Sequence, residues 1–184
     1  NVVLLERKML TSGSTWHAAG LLPLFNMSYS VGQIHKYSVN FYQELQEETG
    51  MNVGFKQVSN IRLASNQDRM DEYLQYKGVA DTIGVNVEVL KPEQVKEIWP
   101  LCSTEGLIGA IRHPDDGYIQ PADLTQALAT GARNKGAQIL INTEVLKIKN
   151  KDNLWYVETN NGDFECEHII SCTGNFARET GKMV

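Results

Sequence analysis

"VVLLERKMLTSGSTWHAAG", residues 2–20, joins two stretches of very different character. Residues 2–5 are apolar and open with two valines, the composition of a strand covered on both faces, as in a parallel sheet. The strand ends in an acid and a base, Glu6 and Arg7. Residues 11–20 then collect two glycines, several hydroxyls, Trp16 and His17. No amphipathic surface helix needs that mixture. Small residues let a backbone approach a ligand closely, and hydroxyls and free N–H groups can take phosphate or sugar oxygens. "STWHAAG" can also open a short helix whose positive end faces such a ligand. The plainer alternative is a Gly/Ser turn with Trp16 packed in the core and His17 satisfied at the surface.

The whole chain narrows the choice. Its 184 residues can form one ordinary domain or two small ones with a real core. A hydrophobic content of 42% with 21% charged residues fits a globular protein. A net charge of −5 argues against a nucleic-acid partner. No apolar run reaches the ~18 residues of a membrane span. Cys102, Cys166 and Cys172 have no zinc-motif spacing and read as ordinary thiols of a reducing compartment. His17, His35, His113 and His168 are scattered, so no metal site is expected. The first strand has no residue before Asn1 to start it, and no secretory signal is visible.

Further along, residues 28–49 place Val31, Ile34, Tyr37, Phe41 and Leu45 on one helical face, with Gly50 as C-cap. "VGFKQVSNIRLASN" gives two short runs around a Ser59-Asn60 turn, and Asn66 can cap a helix reaching about Ile83. "VNVEVLKPEQVKEIWP" reads as a strand and a short helix begun by Pro92 and stopped by Pro100. "GLIGAIRHPDDGYIQP" reads as a hairpin arm, and Pro121 opens a helix ended by Gly136. Four strand-like runs follow, the last being "FECEHIISCTG", with Asn161-Gly162 as a hairpin turn. The pattern predicts a mixed α/β chain in which residues 1–49 and 121–184 share one layer. Residues 50–120 form an α+β insertion. Contact between "NVVLL" and "EHIISC" is expected.

Three places carry chemistry. An acid ending a strand, such as Glu6, can accept hydrogen bonds from adenosine ribose hydroxyls in a dinucleotide-binding sheet. The glycine-rich loop that would precede it by about 20 residues is not in the sequence. The second place is residues 11–20. The third is "SCTGNFARETG", residues 171–181, a strand end in small residues followed by a helix start. All three would lie at one edge of one sheet.

Four stretches then carry a resemblance: residues 2–22, "EETG…GF…SNIRLAS", residues 113–137 and "CTGNFARETGKM". They resemble the dimethylglycine and sarcosine dehydrogenases, flavoproteins of the glycine/D-amino-acid oxidase superfamily, along practically the whole chain. The resemblance implies a partial Rossmann-like FAD-binding domain (residues 1–49 and 121–184) interleaved with an antiparallel-sheet substrate domain (50–120). It implies FAD joined covalently to His17, which requires a neutral imidazole held close to the flavin. Glu6 and Arg7 would contact the adenosine. Thr11, Ser14 and Thr15 would line the pyrophosphate and ribityl path. Val145 would meet the adenine through its backbone, and Thr173 and Gly174 would approach the flavin chain.

The implied reaction is oxidation of an N-methyl amino acid, dimethylglycine or sarcosine, by hydride transfer to flavin. The carbon is then released or passed to tetrahydrofolate in a region outside these residues. The chain is thus expected to be a fragment, inactive by itself, of a cytoplasmic bacterial or mitochondrial matrix enzyme. No catalytic residue is assigned. Arg62 and Arg112 can be considered for a substrate carboxylate, yet both also read as structural. Two alternatives stay open: a non-catalytic, flavoprotein-like regulatory subunit of a phosphatase, and an amine or amino-acid oxidase using oxygen. Retention of His17 favours the enzyme over the first.

Overall fold

A computed structural model describes residues 1–184. Along the chain run β1 (Val3–Leu5), a 3₁₀ helix (Ser14–His17), β2 (Leu21–Leu22), α1 (Tyr29–Thr49), β3 (Lys56–Gln57) and β4 (Asn60–Ala64). Next come α2 (Gln67–Ile83), β5 (Glu88–Leu90), α3 (Pro92–Ile98), β6 (Gly109–His113), β7 (Gly117–Tyr118) and α4 (Pro121–Asn134). The chain closes with β8 (Gln138–Leu140), β9 (Val145–Lys151), β10 (Leu154–Thr159), β11 (Gly162–Cys166), a 3₁₀ turn (Gly174–Phe176) and α5 (Ala177–Gly181). These elements form two compact units, residues 1–16 with 129–184 and residues 17–128. The first of these units is assembled from both ends of the chain and the second is continuous.

In the first unit β1 and β8 pair in parallel, Val3 opposite Gln138 and Leu5 opposite Leu140. Backbone bonds prolong the pairing: the Glu6 N–H donates to Leu140 O at 2.9 Å and the Asn142 N–H to Lys8 O at 3.0 Å. The outer faces of Val2, Val3 and Leu4 stay 40–66% exposed, so the double covering expected of this strand is not supplied within the chain. Strands β9, β10 and β11 form an antiparallel meander with β10 central. The expected turn lies between β10 and β11, where Thr159 faces Gly162 at φ +103°. β11 stops at Cys166, and residues 167–173 are not a strand. The expected contact of "EHIISC" with β1 is replaced by β8. Within this run Ile170 is 86% exposed.

The second unit is built around β6, which lies between β4 and β5 in an antiparallel sheet. α2 covers one face of it: Met70, Tyr73, Tyr76 and Ala80 bury against Ala64 and Ile111. Full burial of a side chain such as Ile111 contributes about 1.5–3 kcal/mol. α3 closes a second cluster with Leu90, Val95, Cys102 and Ala110. The Asn66 side chain accepts from the Arg69 N–H at 2.8 Å, and Gly84 ends α2 in the left-handed region at φ +75°. Both caps match the sequence.

Two expectations fail here. β6 and β7 are not a hairpin, because β7 pairs with β2 and β3 in a separate three-stranded sheet. The face of α1 is met only in its C-terminal half, at Phe41 and Leu45. Gly32, Val39 and Leu45 are buried, whereas Ile34 and Tyr37 are 63% and 68% exposed. The cause is Gly32, whose missing side chain leaves room for Ile83: a Cβ there would lie 2.4 Å from Ile83 Cδ1. α1 thus approaches α2 through a glycine, a contact invisible to a count of apolar positions.

Candidate functional site

The carboxyl end of β1 gathers most of the residues singled out in the first unit. Glu6 is half-buried, and its Oε1 accepts the Lys8 N–H at 2.8 Å, so a short backbone turn holds the carboxylate in place. Oε2 has no protein partner and remains an acceptor. The Glu6 carbonyl accepts the Thr143 N–H at 2.9 Å. This fixes the loop between β8 and β9 beside the site, and Val145 begins β9 two residues on. Thr143 is 1% exposed, with its hydroxyl donating to Ile141 O at 3.0 Å.

Opposite lies the turn after residue 171. The Arg7 guanidinium sits 3.8 Å above the centre of the Phe176 ring, bringing residues 173–176 to the end of β1. The Phe176 N–H donates to Thr173 O at 3.0 Å, and the hydroxyls of Ser171, Thr173 and Thr180 connect at 3.1–3.2 Å. Gly174 has φ +54°, and a Cβ there would meet nothing within 4 Å. That open space suits a ligand passing close to the backbone. Sequence reasoning missed Phe176; the only signal was an aromatic residue inside a small-residue turn.

Thr11, Ser14 and Thr15 lie on the excursion after β1, not in direct contact with this cluster. Thr11 takes φ +75°, a strained value for a β-branched residue. The Ser12 N–H and hydroxyl both donate to Met9 O, and the 3₁₀ helix follows at Ser14–His17. Trp16 is 75% exposed, so the core packing of that ring in the plainer alternative is not found. The helix buries none of its side chains, which leaves Ser14, Thr15 and His17 accessible. His17 ends this helix and opens the second unit.

Within the second unit the "HPDD" turn makes a buried polar cluster. Asp116 Oδ1 accepts the Leu24 N–H at 2.9 Å, and Tyr76 Oη donates to Leu24 O at 3.1 Å. His113 Nε2 lies 3.2 Å from Tyr76 Oη. Since the Tyr76 proton goes to Leu24, the imidazole donates from Nε2 and carries its lone pair at Nδ1. His113 Nδ1, Asp116 Oδ2 and Arg62 Nε have no partner. Burial pushes Asp116 up to about 6, against the hydrogen bond from Leu24 and the attraction of Arg62. Burial, helped by Arg62, pulls His113 down to about 4. Burial and the nearby Asp116 carboxylate push Tyr76 up to about 12. The Arg62 guanidinium stacks 4.2 Å over Phe25, whereas Arg112 is ion-paired with Glu88 at 3.1 Å.

The end of β1 thus combines a parallel strand ending in a half-buried carboxylate, a cation beside it and a glycine turn facing open space. Comparison with known proteins shows the family: the family model described as "FAD dependent oxidoreductase" matches residues 1–184. The chain belongs to the FAD-dependent oxidoreductase family. It is 40% identical to the mitochondrial dimethylglycine dehydrogenase of Rattus norvegicus over 100% of the chain and 22% of the rat protein. It is 34% identical to the mitochondrial sarcosine dehydrogenase of Homo sapiens over 98% of the chain and 20% of that protein. The crystal structure of L-proline dehydrogenase from P. horikoshii superposes with a TM-score of 0.92 at 27% identity, over 99% of this chain and 48% of that one. The chain thus spans about a fifth of the length of the curated relatives named here. The mixed α/β fold is that of FAD-binding oxidoreductases in this family. No helix is long and apolar enough to cross a membrane.

Proposed function

We propose that the protein containing these residues holds FAD with its adenosine half at the carboxyl end of β1 and oxidises an N-methyl amino acid. The observation that carries the reading is Glu6, whose carboxylate is fixed through Oε1 while Oε2 stays free for a ribose hydroxyl. Arg7 offers donors beside it. Thr11, Ser14 and Thr15 offer hydroxyls, and the backbone at Val145 offers polar groups to the adenine. Thr173 and Gly174 border the open space at the second turn. These residues fit the cofactor in chemistry: one acceptor carboxylate, one cation, several hydroxyls and a glycine without obstruction.

When bound, the flavin supplies the hydride acceptor. His17, on a 3₁₀ helix that buries none of its side chains, is the proposed point of covalent attachment. An FAD-binding part from residues 1–49 and 121–184, interleaved with a substrate part from residues 50–120, belongs to the same proposal; the compact unit that joins residues 1–16 to 129–184 supports the interleaving. Dimethylglycine and sarcosine are the proposed substrates, on the strength of the named relatives. Tetrahydrofolate, as acceptor of the released carbon outside these residues, belongs to the same proposal. So does a place in the mitochondrial matrix, or in the cytoplasm of a bacterium.

Acid precipitation of the full-length protein tests the attachment. The wild-type pellet is expected to keep its flavin, and the His17→Ala pellet to lose it to the supernatant. A His17→Ala pellet that stays yellow places the bond elsewhere.

A further inference from the structure

Arg7 is exposed and forms neither an ion pair nor a hydrogen bond within the protein. A free arginine side chain samples many rotamers and loses about 2 kcal/mol of entropy when a ligand fixes it. Here one contact restrains it: the guanidinium carbon lies 3.8 Å from the Phe176 ring centre. The manner of the restraint matters. A carboxylate partner would occupy up to two of the five in-plane N–H groups, which are the only donors a guanidinium has. An aromatic ring takes one face instead and leaves every donor in the plane unused.

Phe176 itself is 48% exposed and adds nothing to the buried clusters. Its backbone is held independently by the Phe176 N–H to Thr173 O bond and by the Thr180 hydroxyl donating to Phe176 O at 3.2 Å. An exposed phenyl ring on a firmly bonded turn, with an unpaired arginine lying on it, has little to contribute to folding.

We propose that Phe176 is a positioning residue for nucleotide recognition. Its ring holds the Arg7 guanidinium at the end of β1 next to Glu6, with the N–H donors left available to the adenosine half of the cofactor. This rests on the placement of adenosine at the end of β1. It adds that the aromatic ring on the second turn, and not an acidic side chain, orients the arginine.

The test uses the full-length protein in the His17→Ala background, stripped of flavin, titrated with ADP and separately with FMN, which lacks adenosine. Phe176→Leu is expected to weaken ADP about two- to five-fold and to leave FMN unchanged. Phe176→Tyr should restore ADP binding, because the ring face is kept. In an Arg7→Ala background Phe176→Leu should change nothing further. The proposal is overturned if Phe176→Leu leaves ADP affinity intact in the Arg7 protein, or lowers it equally with and without Arg7. Should Phe176→Leu misfold, Arg7→Ala combined with Phe176→Tyr and Phe176→Trp reads the same coupling. A different result refutes the underlying site: if Arg7→Ala and Glu6→Gln both bind ADP as well as the parent, adenosine does not lie here.

Discussion

Asp116→Asn should make the second unit more stable near pH 7.5 and newly sensitive to acid. Asp116 is 1% exposed, and burial holds its carboxyl near 6 against an ordinary 3.8. At about 1.4 kcal/mol per pH unit, keeping the ionised form inside costs the folded chain about 3 kcal/mol above that range. His113, fully buried, titrates near 4 against an ordinary 6.5, and the fold loses a comparable ~3 kcal/mol as pH falls through that interval. The signs are opposite. Between about pH 4 and 6 the fold binds a proton on Asp116 that the unfolded chain has released. Over the same range the unfolded chain binds one on His113 that the fold refuses. The two slopes nearly cancel, and the wild-type pair contributes little pH dependence there. Asparagine removes the buried charge and can still accept the Leu24 N–H through its carbonyl oxygen. The variant should gain about 2–3 kcal/mol at pH 7.5 and then lose stability by up to about 1.4 kcal/mol per pH unit below 6.5. His113→Gln should do the reverse, gaining stability as pH falls from 6 to 4. Hydrogen exchange of the Leu24, Val58 and Ser59 amides, which donate to Asp116, reads the opening free energy locally in the full-length protein. Lower protection of these amides in Asp116→Asn at pH 7.5 would refute the reasoning, since the ionised carboxylate would then be stabilising.

Asn66→Ala should cost about 1 kcal/mol through loss of the α2 cap, with Asn66→Asp retaining most of it, as read by exchange of the first-turn amides of α2. Gly117→Ala should cost about 1–3 kcal/mol and expose the β2–β7–β3 sheet to exchange, because its Cβ would sit 2.3 Å from the Lys56 carbonyl oxygen and backbone has no room to yield. Glu6→Gln should weaken ADP binding of the flavin-stripped protein about tenfold by removing a charge-assisted acceptor, measured by calorimetry.

Local signals were legible where chemistry is local. Asn66, Pro92, Pro121 and Gly136 each mark an end of an observed helix within a residue or two. The composition of residues 2–5 marked a parallel strand, and β1 is one. What escaped depends on distant partners. Residues 167–171 read as the end of a strand but pair with none, and β8 lies beside β1. The expected face of α1 was met at Phe41 and Leu45 but not at Ile34 and Tyr37, and the close approach at Gly32 was missed because it involves no apolar side chain. At the candidate site, the position of Glu6 and Arg7 at a strand end was readable, and the structure places both there. Phe176 was not, since a ring 169 residues away reaches Arg7 only through the folded turn.

The most direct measurement is a crystal structure of the full-length protein with its cofactor. The account predicts adenosine at the carboxyl end of β1, a ribose hydroxyl within hydrogen-bonding distance of Glu6 Oε2 and Arg7 against the nucleotide with Phe176 behind it. Adenosine bound anywhere that leaves Glu6 and Arg7 in solvent would contradict it.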